Sequence, residues 1–600
     1  MAGAVSVSAV SVGVRRYAPC APLPVAMVLW LLSLRNVDLG GMGALGLLQV
    51  LPALYWIAVI VLTVGFVVTL RTPRLGQGWL AGYVLALIAI IHATPTLLYP
   101  TLRYAWAWKH VAIVDAMLHH NGLVPNAGDL DIYNQWPGFF LLNVAVLKVL
   151  GLSSPVAYAA WTPPFANALM LVPLLLIYRS VTTDRRIVWT GVWIYYSVSW
   201  IGQDYFSPQA FAFLLYAWLM ALVLRRLPAL ARAPGEPAPG RPPDRSAHGA
   251  RWHGGWGWSL VPVLLLDAVI VSSHQLTPLM VISGLALLMI PRRNRRVVLP
   301  PLVGALVLTA VWGATVARPY LSANLGTFVS SLASPDGNVA SGFRSLGSAA
   351  PEQVLVGFVD RGLSGTVLLL AVACLVLRRW TRHTPFFWLF FSPLPLLAAN
   401  AYGGEMLFRA YMFSLPAAGF LIGALVHPNR RGREAAPTRW SGPRKALLPV
   451  LMLALLAGLF FSYDSKEAMN YYTSDEVAAA SWMIRNAPPG AAIVAVTGAV
   501  PGLDERYYEH YEVVLVSTPP AIQQLLVADP RSALFYSVGF VKPGTPAYLI
   551  LSRAQTWELR LTGELPADTV ARLGDAVSVT PGFTLVYRNA DASVYRFVVS

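Results

Sequence analysis

Residues 45–74 have the sequence LGLLQVLPALYWIAVIVLTVGFVVTLRTPR, an apolar run that stops at Arg71 and Arg74. A helix needs roughly 20 consecutive apolar residues to cross the hydrocarbon core of a bilayer, so this run predicts a membrane span ending in a basic turn. The same alternation of apolar runs and arginine-rich turns continues along most of the chain. By this length criterion we predict about thirteen spans. They lie near residues 22–36, 45–70, 78–99, 157–179, 187–202, 208–226, 257–273, 275–291, 297–316, 360–378, 384–401, 405–426 and 446–462.

The composition also indicates a membrane protein. Of the 600 residues, 56% are hydrophobic and 12% are charged, which is more apolar surface than a soluble core could bury. The net charge of +16 comes mainly from arginines in short loops, a positive-inside pattern rather than a nucleic-acid-binding surface. Neither Cys20 nor Cys374 is placed for a disulfide framework or a thiolate metal site. The first apolar run lacks a convincing cleavage site, so we interpret it as a short membrane segment.

The positions of the arginines predict how the spans are oriented. If the N-terminal segment with Arg15 and Arg16 is cytoplasmic, every strongly basic loop falls on the cytoplasmic side. These loops carry Arg71, Arg74, Arg185, Arg186, Arg225, Arg226, Arg292, Arg293, Arg295, Arg296, Arg378, Arg379, Arg382, Arg430, Arg431 and Arg433. This orientation of the spans holds only if the apolar stretch 137–152 does not cross the membrane. Because it is short and contains Asn143 and Lys148, we expect an amphipathic helix on the outer interface.

The predicted fold is a polytopic α-helical membrane protein with a small C-terminal extracytoplasmic α/β domain. Its predicted parts are N-terminal transmembrane helices (1–77), a transmembrane domain (78–462) whose outer loop 100–155 carries interfacial helices, cytoplasmic linkers (229–255 and 428–444), and the C-terminal domain (463–600). The linkers are rich in Pro, Gly and Arg, a composition typical of flexible segments.

The C-terminal domain begins with a helix signal, SDEVAAASWMIRNAPPG at 474–490, in which Ser474 or Asp475 can cap and the final APPG ends the helix. Strand-like runs follow at 492–497, 547–552, 583–587 and 593–599. The pattern predicts a mixed α/β domain. It contains no recognisable nucleotide-binding loop, which favours a supporting or recognition role.

Candidate polar residues occur first in the long outer loop. Asp115 lies on a segment with the spacing of a helix along the interface, and Asp129 and Asp131 flank a turn before Tyr133 and Trp136. Each aspartate is a candidate base or metal ligand. The alternative is a solvated polar face for Asp115 and ordinary turn residues for the other two.

The short turn WIGQDYFSPQ, residues 200–209, is more informative. Asp204, flanked by Gln203 and Tyr205, lies between two spans with almost no hydrophilic loop to solvate it. A carboxylate in such a turn needs a hydrogen-bonding partner or a functional role to offset its loss of water. The alternative is that Asp204 caps the following helix.

Three further outer segments carry ionisable groups. His274 lies in the turn SSHQLTP, where a structural hydrogen bond is the alternative to a site role. Glu405 and Arg409 are four residues apart and can pair on one helix face, although an anionic ligand is another partner for an arginine one turn inside the membrane. Arg344 belongs to a Gly/Ser-rich loop that either orders over a bound phosphate or is simply flexible.

Residues 78–600 resemble the GT-C superfamily of polyprenyl-phosphate-dependent glycosyltransferases. The nearest likeness is to protein O-mannosyltransferases, lipid A aminoarabinose transferases and their actinobacterial relatives. Three stretches carry it: HNGLVP at 120–125, YNQWPGFFLLNVAVLKVLG at 133–151 and SVSWIGQDYFSPQAFAFLLY at 197–216. Many members have an acidic residue about a dozen positions before the glycine, where this chain has Lys109 and His110.

The resemblance implies an enzyme of cell-envelope biogenesis at the cell membrane. It would move a sugar from a polyprenyl-phosphate donor to a hydroxyl of a glycan, lipid or protein, without nucleic acid. The base would be Asp204 or one of its substitutes, Asp115, Asp129 and Asp131. A second set would hold the donor or its phosphate: Arg409, Arg344, Lys109, His110, His274, Gln203 and Glu405. Tyr133, Trp136 and Tyr205 would face the acceptor or the interface.

A divalent ion bridging carboxylates and phosphate, as in some relatives, is compatible with the resemblance, but no metal-ligand spacing requires it. Two other classes of protein fit a chain of this kind. A lipid-linked glycan transporter would place its key polar groups near the bilayer midplane, and a non-catalytic assembly protein would not depend on Asp204.

Overall fold

The computed structural model describes residues 18–228, 256–332, 349–399, 406–427, 443–502 and 506–599. The predicted linkers, residues 229–255 and 428–444, lie outside these ranges except for the last two residues of the second. Most of the described chain is α-helical. The α-helices before the C-terminal domain are α1 (Pro22–Ser33), α2 (Ala53–Leu70), α3 (Gln77–Ile88), α4 (Thr94–Leu98), α5 (Ala105–His119), α6 (Ile132–Gln135), α7 (Gly138–Leu150), α8 (Val156–Ala159), α9 (Thr162–Arg179), α10 (Arg185–Val198), α11 (Pro208–Leu224), α12 (Val261–Ser273), α13 (Thr277–Leu288), α14 (Arg295–Ala314), α15 (Arg318–Leu332), α16 (Pro351–Leu377), α17 (Pro385–Phe391), α18 (Leu394–Ala399), α19 (Met406–Val426), α20 (Pro443–Asp464) and α21 (Glu467–Asn470).

A helix overlaps each predicted span, and the apolar helices make this a multi-pass membrane protein. Among the described residues, seven helical segments are long and apolar enough to cross a bilayer. They are Ala18–Asn36, Ala53–Leu70, Gln77–Leu98, Arg292–Ala314, Pro351–Leu377, Met406–Val426 and Ala446–Asp464. The other apolar helices are shorter. The span predicted at 384–401 divides into α17 and α18, because Pro393 between them has no N–H for a continuous helix.

The outer loop contains the two helices that the sequence predicts. The helix α7 has 13 residues, too few to cross the bilayer, and it ends at Gly151 in the left-handed conformation. It packs against α5 and against α12. Its last two residues, Val149 and Leu150, point apolar side chains outward.

The helices α10 and α19 pack closely, because glycines let their backbones approach. A Cβ on Gly191 would lie 2.9 Å from the carbonyl oxygen of Gly419, and one on Gly423 would lie 2.7 Å from that of Ile187. The sequence Gly419-Phe-Leu-Ile-Gly423 is a GxxxG pattern, which lets membrane helices pack at short range.

The basic turns gather at one end of the bundle, which we call the basic end. Arg185 donates hydrogen bonds to backbone carbonyls of the turn between α2 and α3. Arg378 donates to Leu425 O at 3.1 Å, and Arg293 donates to His383 O at 2.6 Å. These contacts link the turn between α9 and α10 to the turn between α2 and α3, the end of α16 to the end of α19, and the turn between α13 and α14 to that between α16 and α17. All of these turns belong to the set that the sequence assigns to one side, whereas Arg15, Arg16, Arg430, Arg431 and Arg433 lie outside the described residues.

The C-terminal domain packs on the opposite end, which we call the tail-side end. Tyr104 N donates to Asn470 O at 3.1 Å, and Thr101 Oγ1 donates to Tyr472 O at 2.5 Å. Lys109 on α5 forms an ion pair of 3.0 Å with Glu512 of the domain. The outer loop therefore lies between the bundle and the domain.

The domain is a five-stranded mixed sheet flanked by helices. The strands are β1 (Ala492–Ala495), β2 (Tyr511–Val514), β3 (Pro546–Ser552), β4 (Thr584–Arg588) and β5 (Ala592–Val598), and the helices are α22 (Ser474–Asn486), α23 (Pro520–Ala528), α24 (Pro530–Ser537), α25 (Arg553–Thr562) and α26 (Thr569–Ser578). The strand order is β2-β1-β3-β5-β4, in which β1 pairs in parallel with β2 and β3 while β5 pairs antiparallel with β3 and β4.

Each of the four predicted strands is present, and β2 is the strand that the sequence did not reveal. Its segment YEVV lacks a run of apolar residues, because as an edge strand it leaves Tyr511 and Glu512 exposed. The prediction of the α22 cap was wrong by one or two residues. Thr473, not Ser474 or Asp475, caps the helix, in a reciprocal capping box with Glu476.

Candidate functional site

Asp204 lies in the turn between α10 and α11, at the tail-side end of the bundle. The turn reverses at Gly202, whose φ of +67° belongs to the left-handed region that glycine adopts without strain. The next helix is capped by Ser207, whose side chain accepts a hydrogen bond from Ala210 N at 3.1 Å. Because Ser207 supplies the cap, the carboxylate of Asp204 is not needed for it.

Three side chains from other helices hold the Asp204 carboxylate. His92 Nδ1 lies 2.8 Å from Oδ2, and Asn167 Nδ2 donates to the same oxygen at 2.8 Å. The Tyr463 hydroxyl lies 3.2 Å from Oδ1 and 3.3 Å from Oδ2. The Asp204 side chain remains 18% exposed, so it is fixed in position yet reachable.

His92 reaches Asp204 from a π-helical turn, Ala89–Ala93, that joins α3 to α4. A π-turn inserts extra backbone into a helix and is frequent at functional sites. The imidazole is 3% exposed and stacks edge-on against the Tyr463 ring, with the ring centres 5.3 Å apart. This packing leaves the ring in one orientation, with Nδ1 toward the carboxylate.

The surroundings keep Asp204 ionised. Burial by itself raises the pKa of a carboxyl group, but the His92 imidazole, through its charge and its hydrogen bond, and the Arg103 guanidinium outweigh that effect and lower the pKa of Asp204 below its ordinary value. At neutral pH the group is an acceptor of hydrogen bonds and protons.

A second buried charge cluster lies beside the first. Arg103 Nη2 donates to Glu467 Oε1 at 2.6 Å and also to the Tyr104 hydroxyl, and the Tyr99 hydroxyl donates to Glu467 Oε2 at 2.7 Å. The guanidinium carbon lies 5.0 Å from the centre of the Tyr463 ring. Thus Tyr463 contacts both clusters and couples the Asp204 turn to the start of the C-terminal domain.

A polar cavity of about 330 Å³ opens between the bundle and the C-terminal domain. Its aromatic wall is formed by Tyr104, Trp106, Trp200, Tyr205 and Tyr463, and its polar groups are Gln203, Ser462, Lys466, Asn470 and Glu558. Tyr104 has a φ of +69°, a strained conformation for a residue with a bulky side chain. The cavity is in the size range of small-ligand sites.

An apolar groove of about 40 Å³ lies on the bundle side of the same turn. Its polar members are Asn167, Tyr195, Ser199, Gln203 and Asp204, and its apolar wall is formed by Ala166, Met170, Ala210, Phe213, Leu214, Met412 and Leu415. Ile201, Gly202 and Gln203 line both the groove and the polar cavity. The Asp204 turn is therefore the boundary between an apolar and a polar binding space.

A group of basic residues, His110, His274 and Arg409, lies near this turn. His110 Nδ1 is 2.9 Å from Phe206 O, and the His110 ring stacks on Tyr205. Arg409, on α19, is buried one turn before Met412 of the groove. Burial lowers the pKa of His274 well below its usual value, and the charge of Arg409 close by adds to this effect.

The hydrogen bonds fix the tautomers of both histidines. Thr277 N donates to His274 Nδ1 at 3.2 Å, so in the neutral ring Nε2 carries the proton and is a donor. His110 must instead donate from Nδ1 to Phe206 O, which leaves its Nε2 as an acceptor. Burial lowers the pKa of His110 to about 4, an effect that the Phe206 carbonyl opposes and the Lys109 charge increases. Of the two, only His274 offers an N–H to an anion at neutral pH.

Asp115 and Asp131, the two outer-loop aspartates whose side chains the structure describes, do not belong to the site at the Asp204 turn. Asp115 Oδ2 accepts from Ser154 Oγ at 2.8 Å, which ties α5 to the end of the loop. Asp131 accepts from Asn134 and Gln135 at 2.8 and 3.2 Å within its own short helix region. Neither residue lines the cavity or the groove.

The predicted aromatic residues are divided between two places. Tyr205 lines the polar cavity, whereas Tyr133 packs against His110 and Phe140, and Trp136 packs against Tyr320. Lys109 is engaged by Glu512, as described above.

Three candidates lie outside the described part of the chain: Arg344, Glu405 and the side chain of Asp129. Within the residues that the structure describes, no group of three His, Cys, Asp or Glu side chains could hold a metal ion.

Sequence reasoning missed His92, Asn167, Tyr463, Arg103 and Glu467. Two of them carried a usable signal. His92 interrupts the apolar run before ATPT, and an ionisable residue inside a span is a functional candidate by default. Glu467 follows the last span, at the end of the sequence SYDSKE, and three of the last four residues of this sequence are charged. Asn167 and Tyr463 carried no such signal, because they resemble ordinary residues of a membrane span.

No protein-family profile matches the chain, and no curated protein sequence matches it. Two solved structures are similar to it at 12% sequence identity and a TM-score of 0.47. One is the Archaeoglobus fulgidus oligosaccharyltransferase tethered with an acceptor peptide, with 86% of this chain and 74% of that chain covered. The other is ArnT from Cupriavidus metallidurans bound to undecaprenyl phosphate, with 87% and 98% covered.

Proposed function

We propose that the protein is a membrane glycosyltransferase that moves a sugar from a polyprenyl-phosphate donor to a hydroxyl of an acceptor at the tail-side end of the bundle. One observation carries the proposal. A carboxylate held by three side chains lies where an apolar groove meets a polar cavity. A lipid-linked sugar has an apolar chain and a polar head, and this boundary matches both.

Asp204 is the proposed general base. Its Oδ2 accepts from His92 and Asn167, while Oδ1, which accepts from Tyr463, has the fewer hydrogen bonds. In the proposed reaction Oδ1 takes the proton of the acceptor hydroxyl, and the hydroxyl oxygen bonds to the anomeric carbon of the donor sugar. The bond from that carbon to the phosphate oxygen breaks, and polyprenyl phosphate leaves with the electron pair. Such proton transfer contributes typically ~10²- to 10⁴-fold to a rate.

Arg409 and His274 are the proposed ligands of the leaving phosphate. The phosphate gains negative charge as the glycosidic bond breaks, so a buried cation and an N–H donor near it stabilise the transition state. Arg409 supplies the charge next to the groove, and the Nε2–H of His274 supplies the donor. We assign no phosphate role to Lys109, because Glu512 neutralises it at 3.0 Å.

A transporter is the second candidate, and one residue favours it. Asp267, in the middle of α12, is buried, and neither of its carboxylate oxygens has a hydrogen-bond partner within the described residues. A protonatable group at that depth is typical of transport pathways. The buried clusters around Asp204 and Arg103 lie together at the tail-side end instead, which favours the transferase. Asp267→Asn should leave transfer unchanged if the protein is a transferase.

The direct test uses the purified full chain in lipid nanodiscs with labelled polyprenyl-phospho-sugars. We expect the wild type to release polyprenyl phosphate and transfer the label, and Asp204→Asn to lower the rate by ~10²- to 10⁴-fold while the protein remains folded. The exposed Asp575→Asn is the matched control and should retain activity. Equal rates for Asp204→Asn and the wild type, or no turnover with any donor by a folded protein, would refute the proposal.

A further inference from the structure

The polar cavity has features that the proposed chemistry does not use. The transferred sugar, the base and the phosphate need the Asp204 turn, but half of the cavity wall belongs to the C-terminal domain and the outer loop. Glu558, Gly498 and Ala499 come from the domain, and Trp106 comes from α5. Their chemistry identifies what this half of the cavity binds.

The sheet topology places a ligand site at this position. In an open α/β sheet, ligands bind beyond the carboxyl ends of the parallel strands, at the point where the strand order reverses. Here β1 is followed by β2 on one side and β3 on the other, so the reversal lies at β1. The chain leaves β1 toward Gly498 and Ala499, which line the cavity. The crevice of the domain and the cavity above Asp204 are therefore one space.

A carboxylate faces this crevice. Glu558 Oε2 accepts from Ala499 N at 3.0 Å, which fixes the group at the strand end. A carboxylate has about four lone-pair sites, so the bonds from Ala499 N and the Thr497 side chain leave capacity for ligand hydroxyls. Lys466, whose side chain is 41% exposed and lies 4.0 Å from Asp360, also lines the cavity. One anion and one cation in a small cavity favour a neutral ligand that both donates and accepts hydrogen bonds.

The aromatic side chains that line the cavity indicate which class of ligand it binds. Trp106 borders the cavity and is 51% exposed, so part of its indole ring is open to a ligand there. An aromatic ring has a flat face with partial negative charge, which attracts the slightly positive C–H groups of a saturated ring. Trp200 and Tyr205 provide further rings.

We propose that this cavity binds a carbohydrate ring, with Glu558 accepting hydrogen bonds from its hydroxyls and Trp106 packing on its C–H face. The inference rests on the proposed transferase function and names the class of its polar substrate. The bound ring belongs either to the acceptor, which would then be a glycan, or to the sugar of the donor. In both cases Glu558 is a binding residue and not the base.

The test is saturation-transfer NMR on the full chain in nanodiscs with free monosaccharides, disaccharides and methyl glycosides at millimolar concentration. We expect the wild type and the exposed control Glu564→Gln to saturate the C–H signals of at least one saccharide. Glu558→Gln should weaken its binding about 10- to 100-fold, the effect of losing hydrogen bonds to a charged group. Trp106→Ala should abolish the C–H signals, whereas Trp258→Phe, at an exposed site on the other end of the bundle, should not.

The outcomes distinguish the two ligand sources and the two proposals. If Glu558→Gln raises the KM of the acceptor alone, the ring is part of the acceptor, and if it raises the KM of the donor alone, the ring is the donor sugar. Binding without transfer from any donor would refute the transferase and support the cavity. Transfer with no saccharide signal, or signals that persist in both Glu558→Gln and Trp106→Ala, would overturn the carbohydrate inference.

Discussion

His110 shows how burial converts a side chain into a pH-sensitive element. Its pKa is lowered to about 4, so the folded protein keeps the ring neutral, whereas the unfolded chain takes up a proton near pH 6.5. Between these two values the unfolded state binds more protons. The free energy of unfolding therefore falls as the pH is lowered from about 6.5 toward 4, by up to about 3 kcal/mol from this residue.

This dependence is testable by thermal unfolding in detergent at pH 7.5 and pH 5. His110→Asn keeps a donor for Phe206 O but removes the titration, so we expect the drop in unfolding temperature between the two pH values to become smaller. The exposed His383→Asn should leave the drop as it is in the wild type. An unchanged drop in His110→Asn would show that other groups cause the acid sensitivity.

The buried ion pair between Arg103 and Glu467 predicts that a single substitution of similar shape lowers the free energy of unfolding strongly. Glu467 is fully buried, and Glu467→Gln keeps its shape but leaves the Arg103 charge uncompensated in the interior. Breaking a buried pair in this way typically costs about 3–5 kcal/mol. The more exposed pair Arg506–Glu509 is the control, because Glu509→Gln should cost no more than about 1 kcal/mol. Equal unfolding temperatures for both variants would contradict the role of the buried pair.

Residue identity alone predicted Asp204 but not its setting. The short turn between two spans singled out the carboxylate, because such a turn provides little water. His92, Asn167 and Tyr463 come from three other helices, and their contact with Asp204 depends on packing that no local pattern contains. Asp131 has hydrogen bonds within its own turn, of the kind that the alternative interpretation expects, whereas Asp115 is partly buried and bonded to Ser154 rather than part of a solvated face.

At the scale of elements, the approach of α10 and α19 depends on missing side chains. A Cβ on Gly423 would lie 2.7 Å from a backbone oxygen, which cannot move aside as a flexible side chain can. We expect Gly423→Ala to destabilise the bundle by about 1–3 kcal/mol, the usual cost of overpacking. Gly362, on the long helix α16, has open space around it, and Gly362→Ala should be neutral or slightly stabilising.

Thermal unfolding of the two alanine variants in the same detergent compares them directly. A Gly423→Ala protein as stable as Gly362→Ala would mean that α10 and α19 pack less closely than the structure indicates.

The elements were predictable to different degrees. Long apolar runs fixed the positions of most helices, because the bilayer demands length and hydrophobicity together. The π-helical turn at Ala89–Ala93 was not predictable, since no local pattern in the apolar run 78–99 marks it. The edge strand β2 was missed because exposed strands do not need an apolar face.

In the whole molecule, the proposed reaction depends on the difference between the two ends of the bundle. The basic turns contact one another at one end, and the Asp204 turn, the cavity and the C-terminal domain lie together at the other. By the positive-inside rule we predict that the basic end is cytoplasmic and the C-terminal domain is outside. A polyprenyl-linked donor would then have to reach the outer leaflet before it meets Asp204.

The most direct measurement is the labelling of single cysteines with a membrane-impermeant maleimide on right-side-out vesicles, after Cys20 and Cys374 are replaced by alanine. We predict that Gln203→Cys, next to Asp204, and Glu564→Cys, in the C-terminal domain, react from outside, whereas Arg292→Cys reacts only after permeabilisation. Reaction of the residue 203 and 564 cysteines from opposite faces, or of the residue 292 cysteine together with them, would contradict the account.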